Sequence, residues 1–283
     1  MNNDRGMMFP KIKNPRILIK IPGILLHKRF VDMGYIPDSK KNIANNTLFS
    51  ASPMADTNTG DIPSLKKYFK EISDQYNIGS CSGNATADAM EAMIARRENK
   101  DPSKIKDLSR LFIYWNARNL QDPTKPVEDK GSRISLSFDS SQRYGVPTEE
   151  EYPYDTSKVN NKPSWLVYKA AIQNKIKNFY RLDGEGQERI TQLKQALVNG
   201  NPIVFGTDVS KEFLGVRDNR VINPPTNNIV GGHAICCVGY DSARKAFEIR
   251  NSWGTTWGVQ GYGYMSEEYM MNPMTRDLWV PTI

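Results

Sequence analysis

Three residues in this chain are of the right types to carry acyl transfer together. Cys81 lies in Gln75-Tyr76-Asn77-Ile78-Gly79-Ser80-Cys81-Ser82-Gly83, just ahead of a stretch rich in Ala and Met. A thiolate attacks carbonyl carbon well but needs a base or a positive environment to form near neutral pH. The chain has only 2 histidines. His27 falls in a basic, proline-broken stretch, so imidazole chemistry run within one chain falls to His233, in Gly231-Gly232-His233-Ala234. Asn251 follows in Arg250-Asn251-Ser252-Trp253-Gly254.

These residues need elements to hold them. The Ala- and Met-rich run predicts a helix over Ser82–Arg97, which places Cys81 at its N-terminus. There the helix dipole and free N–H groups favour a thiolate over a thiol of pKa about 8.5. Leu108, Leu111, Phe112 and Trp115 recur at helix spacing over Leu108–Asn119, and a further helix is predicted over Ile134–Tyr144. Beyond Pro163 one more helix, Glu188–Asn199, gives way to short β-rich runs at Ile203–Thr207, Ala234–Tyr240, Ala246–Arg250 and Gly261–Ser266. The pattern predicts an α+β chain in which a helical lobe, residues 61–163, carries the cysteine. A β-rich lobe, residues 164–283, carries the histidine and asparagine, so the chemistry falls in the cleft between the two.

Taken together these segments resemble the papain-like cysteine peptidases. The likeness rests on a glutamine six residues before the cysteine, Gly-His-Ala before an apolar strand, and the order Cys, His, Asn. Its most specific part is Asn251-Ser252-Trp253-Gly254 followed by Trp257-Gly258 and Gly261-Tyr262-Gly263-Tyr264. It extends more weakly from about Tyr35 to the C-terminus. The resemblance implies a two-lobe fold with an antiparallel, barrel-like β lobe, and an endopeptidase that works through a thioester acyl-enzyme.

By the same resemblance, Cys81 is the nucleophile and His233 the acid and base, the two standing as a thiolate and imidazolium pair. Asn251 orients the imidazole, Trp253 shields that bond, and Gln75 with the Cys81 N–H forms an oxyanion hole. Gly131 and Ser132, with Gly232 beside the histidine, are candidates to meet the substrate backbone. The likeness implies no metal and no cofactor. Two departures stand out. Ser82 occupies a place where many members carry tryptophan, and the Cys81 to His233 and Cys81 to Asn251 separations are 152 and 170 residues, against a usual ~130–150.

Composition bounds the alternatives. Residues 1–30 carry seven Lys and Arg against Asp4, a net +6 of the chain's +7, so the body is nearly neutral. No nucleic-acid partner is expected of the body; the basic tail leaves room for weak anionic contacts. Three cysteines, Cys236 and Cys237 adjacent in an apolar run, make no disulfide framework. Both read as core. The likeness is to disulfide-poor bacterial and viral members, and a reducing compartment, intracellular or virion-associated, is expected. The apolar patch Ile17–Leu26 contains Lys20, Pro22 and Gly23 and is too short for a bilayer span. A protein or peptide substrate and a monomer complete the expectation.

Two other readings compete for the same residues. Gly79-Ser80-Cys81-Ser82-Gly83 also matches a nucleophile elbow, but the preceding Ser73-Asp74-Gln75-Tyr76-Asn77 is polar where that motif needs a buried strand. A retired or permanently covered peptidase fold used for binding keeps the same residues. Residues 1–60, basic and rich in Asn, Pro and Ser, read as an extension that is either a prosegment, cut in the loop-like Ala51–Gly60, or permanent structure around Val31–Lys40.

Overall fold

The computed structural model describes residues 33–38 and 62–283. His27, the basic tail and residues 51–60 lie outside the described residues.

The first long helix, α1, runs Cys81–Glu98 and stops at Asn99, whose left-handed φ of 48° lets its N–H reach back to the Ala95 and Arg96 carbonyls. Its small residues have a packing purpose. A side chain at Gly83 would meet the Arg110 carbonyl at 2.7 Å, so the second helix, α2 (Arg110–Gln121), lies almost in backbone contact with α1. The Ser109 side chain caps α2 by accepting from the Phe112 N–H at 3.2 Å, which fixes the helix start after Leu108 and not at it. Helix α3, Ile134–Arg143, packs against both, and the short α4 spans Trp165–Ala171.

The remaining elements build one open seven-stranded sheet. Its strands are β1 (Asn178–Leu182), β2 (Ile203–Ser210), β3 (Val221–Ile222), β4 (Ile229–Asp241), β5 (Ala246–Arg250), β6 (Tyr262–Ser266) and β7 (Thr275–Thr282). They lie in the order β1-β7-β2-β4-β5-β6-β3, all antiparallel except the β3–β6 pair. Helix α5 (Gly186–Val198) and the short α6 (Lys211–Leu214) and α7 (Glu267–Met271) flank it. Cys236 and Cys237 sit in β4, fully buried and free, among the apolar core. Among the described residues no helix is long and apolar enough to cross a membrane.

Helix and sheet are tied by charge. Arg250, the last residue of β5, holds Asp88 of α1 at 2.8 Å and also donates to the Lys70 and Glu71 carbonyls and to the Tyr262 hydroxyl. Both partners are buried, so this ion pair fixes where the chain after β5 meets the helix that begins at Cys81.

Candidate active site

Cys81 opens α1, and its sulfur lies against the backbone of Ala234, the residue after His233 in β4. The His233 Nε2 is 2.8 Å from the Asn251 Oδ1. That oxygen also accepts the Ser252 N–H at 2.7 Å, and a backbone N–H can only donate, so the amide orientation is fixed. Nε2 therefore carries the ring hydrogen. Nδ1, buried and without a hydrogen bond, keeps its lone pair. The Trp253 indole stacks on the imidazole with ring centroids 4.4 Å apart and planes 23° from parallel.

Gln75 is pinned in the same way. Its Oε1 accepts from the Ser252 hydroxyl at 2.8 Å and from the Trp253 indole N–H at 3.2 Å. Its Nε2 donates to the Ile78 carbonyl at 3.1 Å, and an amide nitrogen has a second hydrogen to offer. Gln75, His233, Asn251 and Trp253 thus form one hydrogen-bonded and stacked group beside Cys81.

A peptide segment already lies in this site. The Met33 carbonyl accepts the Cys81 thiol at 2.8 Å and also borders the His233 ring. The Ser132 N–H donates to the Gly34 carbonyl at 2.8 Å, the Ile36 N–H to the Ser132 carbonyl at 3.1 Å, and the Tyr35 N–H to the Gly232 carbonyl at 3.3 Å. Residues 33–38 therefore form a strap, bridged in parallel to Ser132, across the position of Gly131, Ser132 and Gly232. The fit at Gly34 is tight: with φ at +87°, a side chain there would overlap the Gly79 carbonyl at 1.9 Å.

Both reacting candidates lie out of contact with water. Cys81 and His233 are both 0% exposed. Burial pushes the Cys81 thiol up to about 12, against the pull of the Ala234, Ser82 and Cys81 N–H groups. Burial likewise pushes His233 down to about 4, with Asn251 and the Met33 carbonyl acting the other way. In the covered site burial therefore disfavours both members of the thiolate and imidazolium pair expected from the sequence. Desolvation outweighs the helix terminus, because the dipole effect is modest beside the cost of a buried charge.

The supports of the groove carry no signal in the sequence. Asp129 accepts from the Gly79 N–H at 3.0 Å and from the Tyr114 hydroxyl at 2.5 Å, and that hydroxyl accepts from the Gly131 N–H at 3.0 Å. Two walls of the groove, at Gly79 and Gly131, thus hang on one carboxylate. The pairing of Asp129 with Tyr114 of α2 leaves no mark in local sequence. Among the described residues no group of three or more His, Cys, Asp or Glu side chains converges as a metal site requires.

Comparison with known proteins gives four findings. The chain matches the family described as papain family cysteine protease over residues 58–279. It is 34% identical over 228 residues to an uncharacterised peptidase C1-like protein of Acanthamoeba polyphaga mimivirus, a match covering 77% of this chain and 71% of that one. Xylellain, a cysteine protease from Xylella fastidiosa, shares its fold with a TM-score of 0.76 at 30% identity, over 92% of this chain and 98% of that chain. A cathepsin L-like proteinase of Fasciola hepatica is 26% identical, and the match spans 56% of its length.

Proposed function

The chain belongs to the papain family of cysteine proteases, and on that footing we propose that it cuts within protein chains through Cys81, His233, Asn251 and Gln75, and that residues 33–38 hold it latent. The observation that carries this reading is the hydrogen bond from the Cys81 thiol to the Met33 carbonyl, inside a groove that also hydrogen-bonds the strap backbone at Gly34, Tyr35 and Ile36. The thiol meets the oxygen of that carbonyl, whereas attack requires the carbon. The strap is held as a ligand.

With the strap displaced, water reaches both groups and their charged forms are no longer suppressed. The His233 Nδ1 takes the thiol proton, and the thiolate attacks the substrate carbonyl carbon. Negative charge develops on the carbonyl oxygen, where the Cys81 N–H and the second Gln75 N–H receive it. The C–N bond then breaks as imidazolium gives its proton to the departing amine, leaving a thioester on Cys81. In the second half, His233 takes a proton from water, the hydroxide attacks the thioester, and the released acid leaves a thiolate beside imidazolium. Asn251 keeps Nδ1 aimed at the sulfur throughout, and Trp253 covers that hydrogen bond. No other group is required.

A groove that accepts an internal segment, with chain continuing beyond both ends, suits cutting within a chain. The three cysteines, all free, support the reducing compartment expected from the sequence. The cover itself favours one second reading, a permanently closed site used for binding. Gly34→Ala separates the two, since it disturbs the strap at its tightest point and leaves the reacting residues alone. On an unfolded protein substrate this variant should make internal cuts that the parent makes slowly and that Cys81→Ala in the same background does not make. A folded Gly34→Ala protein that alkylates at Cys81 yet cuts nothing would establish the binding reading.

A further inference from the structure

Helix α4 turns an apolar face outward. Its inner side is fixed: the Tyr168 ring packs edge-on against Phe112 and Tyr144 at centroid distances of 5.0 and 5.5 Å, its hydroxyl donates to Asn116 Oδ1 at 2.7 Å, and Ala171 is buried. Trp165, Lys169 and Ile172 follow one another at i, i+4 and i+7, on the side that this anchoring leaves outside, with Leu166 next to them. Trp165 is 70% exposed, Leu166 59% and Ile172 60%. Single apolar side chains are ordinary on a protein surface, but three large ones within two helical turns form a patch that calls for a partner.

The charge around this face is of one sign. Residues 156–182 hold Lys158, Lys162, Lys169, Lys175, Lys177 and Arg181 and no Asp or Glu. Lys158 reaches back to Asp155 at 3.0 Å, and Arg181 pairs with Asp183. Lys162, Lys169, Lys175 and Lys177 are exposed, and among the described residues none of them makes an ion pair. A second copy of the chain would set like charge against like, and so would the basic tail of residues 1–30. Nucleic acid would meet the lysines but leave Leu166 and Ile172 in water. The occupant that fits is anionic and takes protruding apolar side chains without having to offer a matched pocket. An anionic bilayer does both, because indole and lysine side chains share the headgroup layer while apolar groups reach the acyl boundary below it.

We infer that the outward face of α4 docks this protein on an anionic membrane surface. Trp165, Leu166 and Ile172 enter the interface, and Lys162, Lys169, Lys175 and Lys177 hold the phosphate and carboxylate groups of the lipids around them. The surface includes none of the reacting groups, so it places the whole chain at the membrane without closing or completing the site at Cys81.

The tryptophans make the test specific. Of the 5 in the chain, Trp115, Trp253, Trp257 and Trp279 are 8% exposed or less and residues 1–60 contain none, so Trp165 is the one placed to report contact with lipid. The full chain is mixed at low salt with vesicles of phosphatidylcholine, alone or with phosphatidylserine, whose acyl chains are brominated near the headgroup or left plain. Tryptophan emission should shift to the blue and be quenched by bromine with the phosphatidylserine vesicles, and stay unchanged with phosphatidylcholine alone. Lys162→Gln with Lys169→Gln should weaken vesicle binding by about tenfold or more, and Leu166→Ala with Ile172→Ala by a similar factor. Both pairs are exposed side chains, so neither change reaches the core, and neither should alter the rate of Cys81 alkylation. Absence of binding to the anionic vesicles overturns the proposal. So does co-sedimentation without a change in emission, which would put the contact in the basic tail. An emission change with soluble polyglutamate or RNA and none with vesicles overturns it as well, and would give the face to an acidic protein or to nucleic acid.

Discussion

A neutral imidazole whose Nε2 hydrogen is held by Asn251 presents an unprotonated Nδ1, the state needed to take a proton from a thiol. Residue identity at this point was legible in the sequence because each role tolerates few side chains: one reactive thiol at a helix start, one eligible histidine, one carboxamide in Asn251-Ser252-Trp253-Gly254. The protonation states were not legible, since they depend on burial by Met33, a residue with no chemical signature. Asp277 was illegible for a related reason, as nothing in Arg276-Asp277-Leu278 says that the carboxylate accepts the Tyr35 hydroxyl. Gln75 permits a clean test. Removing its amide as Gln75→Ala in the strap-released protein should lower kcat by about 10²–10³, the usual loss of one oxyanion donor, while Cys81 remains alkylatable. Equal loss of alkylation and turnover would mean that Gln75 only holds Ser252 and Trp253 in place.

At the scale of elements, the Arg250 and Asp88 pair joins the sheet to the helix that begins at Cys81. Arg250→Ala leaves a buried carboxylate without its cation and strands the Lys70 and Glu71 carbonyls, so it should destabilise the fold by about 3–5 kcal/mol. A urea titration reads this as a lowered midpoint at unchanged slope; a shift below about 1 kcal/mol would show that water replaces the guanidinium there. The long helices were readable because Ala-rich or periodic apolar runs mark them, and all four predicted ones are present within a few residues. The two strands at one side of the sheet were not. β1 is an edge strand with mostly part-exposed residues, and β7 is interrupted by Arg276 and Asp277, whose purpose is tertiary. β4 starts at Ile229, before the predicted Ala234, because Gly231 and Gly232 hide a strand that needs bare backbone to admit another chain.

At the scale of the whole molecule, the account is of a closed enzyme whose cover is part of its own chain, and the hold of that cover should depend on pH. Asp38 is pushed up to about 6, first by burial and then by the charge of Asp277, with Ser135, Trp279 and Arg133 acting the other way. Once released, an aspartate returns to about 3.9. The docked strap therefore binds the proton more tightly than the free one, so docking is strongest below about pH 4 and weakens as pH rises through about 6. Cys81 and His233 add little to this dependence near neutrality, because opening moves one proton from sulfur to imidazole and leaves the total unchanged. The ratio of Cys81 labelling rates, Gly34→Ala over parent, should fall between pH 5 and pH 7, and Asp38→Asn should flatten it; a ratio that rises over that interval would assign the pH response to another group. The central claim, an activated Cys81 and His233 pair hidden beneath residues 33–38, is tested most directly by intact-mass alkylation with iodoacetamide at about pH 6, where an ordinary thiol is almost wholly protonated. The account expects slow labelling of the parent and fast, single labelling of Gly34→Ala that maps to Cys81 and is lost with His233→Ala. A folded Gly34→Ala protein that labels no faster than the parent, or as fast without His233, would contradict it.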